Sequence, residues 1–354
     1  MNPFENARDE AKNASNKRGS DVTTVEAVTD NVAAVTFVDG DRPFRATVPD
    51  SLTVGADDTV IVGYTTSGSA YIENVLTRTA EPEPTPAAVE PGRFFYSGDS
   101  VSDTIYTYKC STPFDIDTAS FQSVTDVSDD VSRLVGFVWN NTGDKFYTVD
   151  VSPDIVASFT APEPFRVADA TLDKTLDASD PGFGPTNVTW SNDGSVLYLP
   201  DYDEEVYQYR CSTPFDIGTA ALETSFDTSD EASECYDIAW DSDGTTFFTV
   251  EDGYNIIYAY TCSTPFDVDT ATFDTSIDLS DELESESIAW NNDGTTLYVA
   301  SNSNNTIYAY TCSTPFDIDT ATLETSFTVS NDRDIDTITW NGLPQYDGFN
   351  SFNK

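Results

Sequence analysis

The chain has 354 residues, 38% hydrophobic and 13% aromatic, enough for sizeable cores. It carries 62 Asp and Glu against 16 Lys and Arg, a formal charge of -46, and no histidine. Such a surface repels phosphate and excludes nucleic acid as a partner; the aromatic content excludes a disordered acidic chain; a folded protein adapted to molar salt, where the Debye length is about 3 Å, fits both.

Residues 1–79 hold 12 acids and 7 bases, whereas the remainder holds 50 and 9. The first part therefore reads as a region that meets other protein, and the rest as one that meets brine. No apolar run approaches the ~20 residues of a membrane span and no signal-peptide core is visible, which predicts synthesis in the cytoplasm without membrane insertion.

Residues 1–20 are expected to form a short helix, with Phe4, Ala7, Ala11 and Ala14 in a narrow stripe. That stripe suits either the helix's own domain or a contact between subunits. Residues 21–79 change to a period of two, with Asp39-Gly40 and Ser67-Gly68 as hairpin turns. Five short strands there predict a small β-barrel of the OB or SH3 kind. No basic-aromatic groove accompanies them, so a docking module is preferred to oligonucleotide binding. Residues 80–92, AEPEPTPAAVEPG, read as a semi-rigid polyproline spacer.

From residue 93 a repeat takes over. The five tryptophans, Trp139, Trp190, Trp240, Trp290 and Trp340, recur at steps of 51, 50, 50 and 50. The clearest copy runs Ile288-Ala289-Trp290, the turn Asp293-Gly294, then Leu297-Tyr298. Each unit offers four strands a to d, and Ser-Thr-Pro-Phe-Asp recurs between c and d at residues 111–115, 212–216, 263–267 and 313–317. In the second unit it decays to Pro162-Glu163-Pro164-Phe165. Strand-only units of this length predict an all-β, five-bladed β-propeller over residues 93–342, with a tail at 343–354. The first unit lacks strand a and the chain ends on one, so the segment ending at Trp340 is expected to close the first blade. Cys110, Cys211, Cys262 and Cys312 occupy equivalent places in different blades and cannot pair. They read as packed thiols, as does Cys235.

The units Tyr-x-Tyr-x-Cys-Ser-Thr-Pro-Phe-Asp-Ile-x-Thr-Ala, followed by Ile-Ala-Trp-x-x-Asp-Gly-Thr-x-Leu-Tyr, resemble propeller repeats of tail and fibre proteins of tailed bacterial viruses. Those repeats usually have Trp for Phe and lack the Cys. With the acidity, the chain resembles a virion structural protein of a tailed haloarchaeal virus. The resemblance implies a place on the virion surface, as capsid decoration (a turret) or tail fibre, and host attachment. It also implies a homo-oligomer whose partners are other virion structural proteins.

Two faces follow from the strand order. One carries the repeated Asp-Gly turns and Ser-Thr-Pro-Phe-Asp loops and reads as scaffold. The Asp241–Gly244 turn fails the EF-hand spacing, because its Gly comes too early. The other face varies between blades and places tyrosine or phenylalanine beside Asp and Asn: Phe183, Asp201, Tyr202, Asp203, Tyr236, Asp252, Tyr254 and Asn255. Ring stacking with directional hydrogen bonds suits a host glycan or S-layer. Without histidine, the Ser-His and Cys-His pairs are missing and no zinc spacing exists, so no enzyme, no cofactor and no metal site is expected. The alternatives are a carbohydrate-cleaving propeller enzyme, with carboxylates at Tyr236-Asp237, Glu286 or Asp336, and a cell-surface adhesin.

Overall fold

In the computed structural model, two compact units divide at residues 88 and 89. The structure describes the backbone of five strands within residues 23–77, and residues 89–179, 184–251, 255–279, 284–329 and 334–342 in full. The expected N-terminal helix with Phe4, Ala7, Ala11 and Ala14, the spacer up to residue 88, and the tail from 343 lie outside the described residues. No helix among the described residues is long and apolar enough to cross a membrane.

In the first unit the strands are β1 (Thr23–Thr29), β2 (Val32–Phe37), β3 (Phe44–Thr47), β4 (Thr59–Tyr64) and β5 (Ala70–Thr77). They pair in the closed order β1-β2-β3-β5-β4.

The second unit is an all-β, five-bladed propeller. Blade 2 comprises Leu134–Trp139, Lys145–Asp150, Ile155–Thr160 and Thr171–Asp177; blade 3, Thr189–Trp190, Val196–Pro200, Glu205–Cys211 and Ala220–Asp227. Blade 4 comprises Asp237–Trp240, Thr246–Glu251, Ile256–Cys262 and Ala271–Asp278; blade 5, Ser285–Trp290, Thr296–Ser301, Thr306–Cys312 and Ala321–Thr328. In blade 1, Thr337–Trp340 pairs with Phe94–Asp99, which continues through Thr104–Cys110 to Ala119–Asp126. The a strands gather around the axis, touching those of neighbouring blades. Strands a to c are buried on both faces, because another blade covers each, so they read as apolar runs.

Five hydrophobic cores lie between successive blades, and each is built on one tryptophan. Trp190 stands 4.8 Å from the Tyr147 ring of blade 2 and 5.3 Å from Phe215 of its own blade. Trp240 sits likewise between Tyr198 and Phe266, at 4.9 and 5.2 Å. The phenylalanine of each c–d loop adopts a left-handed backbone, with φ of 57–61° at Phe114, Phe165, Phe215, Phe266 and Phe316. A bulky side chain there costs roughly 1–3 kcal/mol. Three contacts offset that cost. The Phe N–H donates to the hairpin glycine, as Phe165 does to Gly143 at 2.8 Å; the ring lies against Trp; and the carbonyl accepts a tyrosine hydroxyl from the preceding blade. Those hydroxyl bonds are Tyr96 to Phe165 at 2.7 Å, Tyr147 to Phe215 and Tyr198 to Phe266 at 2.6 Å, and Tyr298 to Phe114. The fifth place holds Phe248, 5.0 Å from Trp290, and has no hydroxyl to give. The hairpin glycine is obligatory: a Cβ on Gly143 would stand 2.6 Å from the Phe165 ring, at φ +71°.

Blade 1 rebuilds its a–b hairpin from two distant pieces of chain. Phe94 N–H donates to Asn341 Oδ1 at 2.6 Å, Asn341 N–H to the Phe94 carbonyl at 2.9 Å, and Gly92 N–H to the Asn341 carbonyl at 3.0 Å. Asn341 Nδ2 also donates to the Glu90 carbonyl at 2.9 Å. Gly92 supplies the glycine against which Phe114 folds. The expected spacer is therefore too long: residues 90–92 belong to the propeller, because their backbone completes its first hairpin.

Each outer strand carries a β-bulge at one equivalent place, at Gln122, Asp173, Glu223, Asp274 and Glu324. Bulges bearing mostly carboxylates twist and charge the free edges, which discourages edge-to-edge pairing. All five cysteines are buried free thiols. Burial raises Cys110 and Cys262 to about 12, which keeps them unreactive.

Candidate functional site

The a strands determine what the axis can do. Their first axial residues are Gly136, Asn187, Asp237, Ser287 and Thr337, one per blade. Asp237 Oδ2 accepts the Ser287 hydroxyl at 2.6 Å and the Ile288 N–H at 2.8 Å, while Oδ1 accepts its neighbour Ile238 N–H at 2.7 Å. Ser287 Oγ accepts the Ile338 N–H at 3.0 Å, and Asn187 Nδ2 reaches Thr337 Oγ1 at 3.4 Å. Gly136 is needed beside them, since a Cβ there would stand 2.8 Å from Asn187 Oδ1. These small polar groups bond to one another across the channel, and a cavity of about 60 Å³, walled by Ile238, Ile288 and Ile338, lies among the a strands. Burial pushes Asp237 up to about 7 despite its three donors.

One residue earlier stand Val135, Thr186, Tyr236, Glu286 and Asp336; Val135, Thr186 and Glu286 are buried, whereas Tyr236 and Asp336 are part-exposed. Tyr236 meets Tyr202 edge to face, with centroids 5.3 Å apart at 85°, and both rings are part-exposed. Tyr202 also leans over Gly184, whose φ of +83° and lack of a Cβ make room for it. Glu286 Oε1 accepts Asn302 Nδ2 at 2.6 Å, and Asp336 Oδ2 accepts the Ser100 N–H at 2.7 Å. Burial, then the nearby Asp334 and Asp99, pushes Asp336 up to about 7. The exposed Arg133 contributes the cation that acts on both Tyr202 and Asp334.

The structure thus brings together two of the expected site residues, Tyr202 and Tyr236, and leaves Asp203 exposed next to them. Phe183, Asp252 and Tyr254 lie outside the described residues. Asp201 and Asn255 do not belong to a ligand surface. Asp201 is 2% exposed and accepts the Asp203 N–H at 2.6 Å, turning its own loop. Asn255 is 8% exposed, at φ 59°, with its Oδ1 accepting from Ser285 N at 3.2 Å and its carbonyl from Leu279 N at 3.0 Å.

Both belong to repeats hidden in loops that otherwise vary. Asp99, Asp150, Glu251 and Ser301 end their b strands, and Asp201 directly follows its own. Asp103, Asp154, Glu204, Asn255 and Asn305 all take positive φ before or at strand c. Asn and Asp tolerate that conformation best. Glu286 and Asp336 are the inner-strand carboxylates already expected of a carbohydrate-cleaving alternative, whereas Arg133 was missed.

Chemically, the mouth offers an aromatic edge-to-face pair beside tethered carboxylates and one guanidinium. Among the described residues no group of three or more His, Cys, Asp or Glu could hold a metal ion.

No known family model matches the chain, and no curated protein does. Among solved structures, it is similar to a Bacteroides fragilis protein provisionally named a 6-phosphogluconolactonase, at 14% identity and TM-score 0.43, covering 90% of this chain and 97% of that one. A functionally unknown protein from Desulfotomaculum acetoxidans is similar at 13% identity and TM-score 0.41, covering 87% and 80%. Sqt1 from Chaetomium thermophilum is similar at 16% identity and TM-score 0.36, covering 89% and 69%.

Proposed function

We propose that the chain is a non-enzymatic virion surface protein that presents its propeller for attachment to a host glycan or S-layer. The observation that carries the attachment reading is the part-exposed Tyr202–Tyr236 pair at the rim of the axial channel. A sugar's apolar face stacks on such rings while a hydroxyl donates to the part-exposed Asp336. The virion setting is supported by the repeat's resemblance to fibre proteins and by an acidity suited to brine. In this reading the first unit is an OB- or SH3-like barrel that docks on capsid or tail proteins. The pairing of Thr337–Trp340 with Phe94–Asp99 closes the ring, so that no blade edge is left to open under load.

A glycan array probed with the full chain in molar NaCl tests attachment. Binding is expected, and Tyr202→Ala with Tyr236→Ala together should abolish it. Binding unchanged in that variant, or no binding to any glycan, refutes the reading. One observation favours a carbohydrate-cleaving enzyme as the second reading: Asp336 is a carboxyl group shifted to about 7 beside an aromatic platform. Release of reducing sugar from a bound glycan, lost in Asp336→Asn, would establish it.

A further inference from the structure

On the opposite face, which the repeated turns mark as scaffold, a groove of about 750 Å³ opens between blades 3 and 4. That volume falls in the range of small-molecule sites. Its walls include the hairpin residues Asn192 and Asp243, Arg210 from strand c of blade 3, and Thr264, Pro265 and Asp267 from the c–d loop of blade 4.

Asp267 departs from the repeat at this place. Asp115, Asp216 and Asp317 each turn their carboxylate onto their own short helix, accepting from Asp117, Gly218 and Asp319 N–H at 3.1, 3.0 and 3.2 Å. Asp267 makes no such cap. A side chain of the neighbouring blade instead holds the start of the turn: Val268 N–H donates to Gln208 Oε1 at 3.0 Å. Asp267 lines the groove without that cap.

Arg210 is half-engaged. Its Nε donates to both Glu223 oxygens, at 2.8 and 2.9 Å. Its two terminal nitrogens make no hydrogen bond to a described residue, and no ion pair joins Arg210 to Asp267. Asp243 is occupied by Thr245 at 2.7 Å. The groove therefore presents one planar acceptor with two oxygens, one planar donor with two nitrogens and the flat side of Pro265, while Asn192 Nδ2 already donates to the Ser242 carbonyl at 2.8 Å.

We propose that this groove is a saccharide-binding site for a neutral sugar. The carboxylate takes a vicinal diol's two protons, the guanidinium donates to ring or hydroxyl oxygens, and Pro265 meets an apolar C–H face. A neutral ligand is favoured because short-range hydrogen bonds survive the salt that screens charge attraction. The site shares no residue with the Tyr202–Tyr236 mouth and does not rest on the reading of that face.

Saturation-transfer NMR with the full chain in molar NaCl tests it, using the methyl glycosides of glucose, galactose, mannose and N-acetylglucosamine as probes. At least one probe should bind, and Asp267→Asn or Arg210→Gln should weaken it about tenfold or more. Melting temperatures should stay unchanged, since Asp267 caps nothing and Arg210 is exposed. The Tyr202→Ala, Tyr236→Ala double variant should retain this binding, which separates failure here from failure at the mouth. The proposal falls if no probe binds, if Asp267→Asn leaves binding intact, or if binding fades as NaCl is raised.

Discussion

Phe248→Tyr should stabilise the propeller. Four of five inter-blade seams carry a tyrosine hydroxyl bonded to the strained Phe carbonyl of the next blade, at 2.6–2.7 Å where Tyr96, Tyr147 and Tyr198 donate. The Phe248 ring is already seated as its counterparts are, 5.0 Å from Trp290 at 56°, against 4.8 Å and 57° for Tyr147 on Trp190. Adding the hydroxyl therefore requires no new rotamer, and the gain is one net hydrogen bond of about 0.5–1.5 kcal/mol. The reverse change, Tyr147→Phe, strips a part-buried acceptor of its donor and should cost about 1–3 kcal/mol. Scanning calorimetry in molar salt would read these as a rise of about 2–4 °C for Phe248→Tyr and a larger fall for Tyr147→Phe. A buried hydroxyl without a partner is itself costly. A lower melting temperature for Phe248→Tyr, or no loss in Tyr147→Phe, would refute the role given to these hydroxyls.

The axial carboxyl sets a pH dependence. Asp237, shifted up from 3.8 to about 7 in the fold, keeps its proton there while the unfolded chain has lost it. Stability should thus fall by about 4 kcal/mol as pH rises from about 4 to 7, then level off; Asp336 adds in the same direction, and Asp237→Asn should flatten its share of the slope in urea titrations. Asp241 is raised by burial and then by Asp243, where blades 2 and 5 carry Asn140 and Asn291. Asp241→Asn should therefore raise stability at neutral pH, measured by the same titration. Gly143→Ala meets both a left-handed backbone and the Phe165 ring, and should cost about 2 kcal/mol or more in a thermal melt.

The blade number and the roles of Trp, Gly and Phe were legible because they repeat at a fixed step and each serves a contact every blade needs. The phenylalanine's left-handed backbone was not. Its cause is the hairpin glycine beneath the ring, whose carbonyl takes the Phe N–H in every blade, Phe316 included, and no local pattern signals that contact. The site was legible only in part. Tyr202 and Tyr236 come from loops of different blades, and their aromatic character marks them. Asp201 and Asn255 look the same in sequence, yet each shapes its own loop, because a buried carboxylate or amide there satisfies backbone N–H groups. Asp267 escaped notice because three of the other four copies carry the same Asp; only the missing cap distinguishes it from them.

The proposed display role rests on a ring whose first and last segments share one blade. Trp340 is 0% exposed, 5.3 Å from Phe95, 5.2 Å from Phe114 and 4.8 Å from Tyr298, the same setting Trp240 has within a continuous stretch of chain. Equilibrium unfolding of Trp340→Ala beside Trp240→Ala tests that closure. Equal losses of about 3–5 kcal/mol are predicted for the two. A much smaller loss for Trp340→Ala would mean that the C-terminal strand is an accessory tail, and would contradict the closed ring.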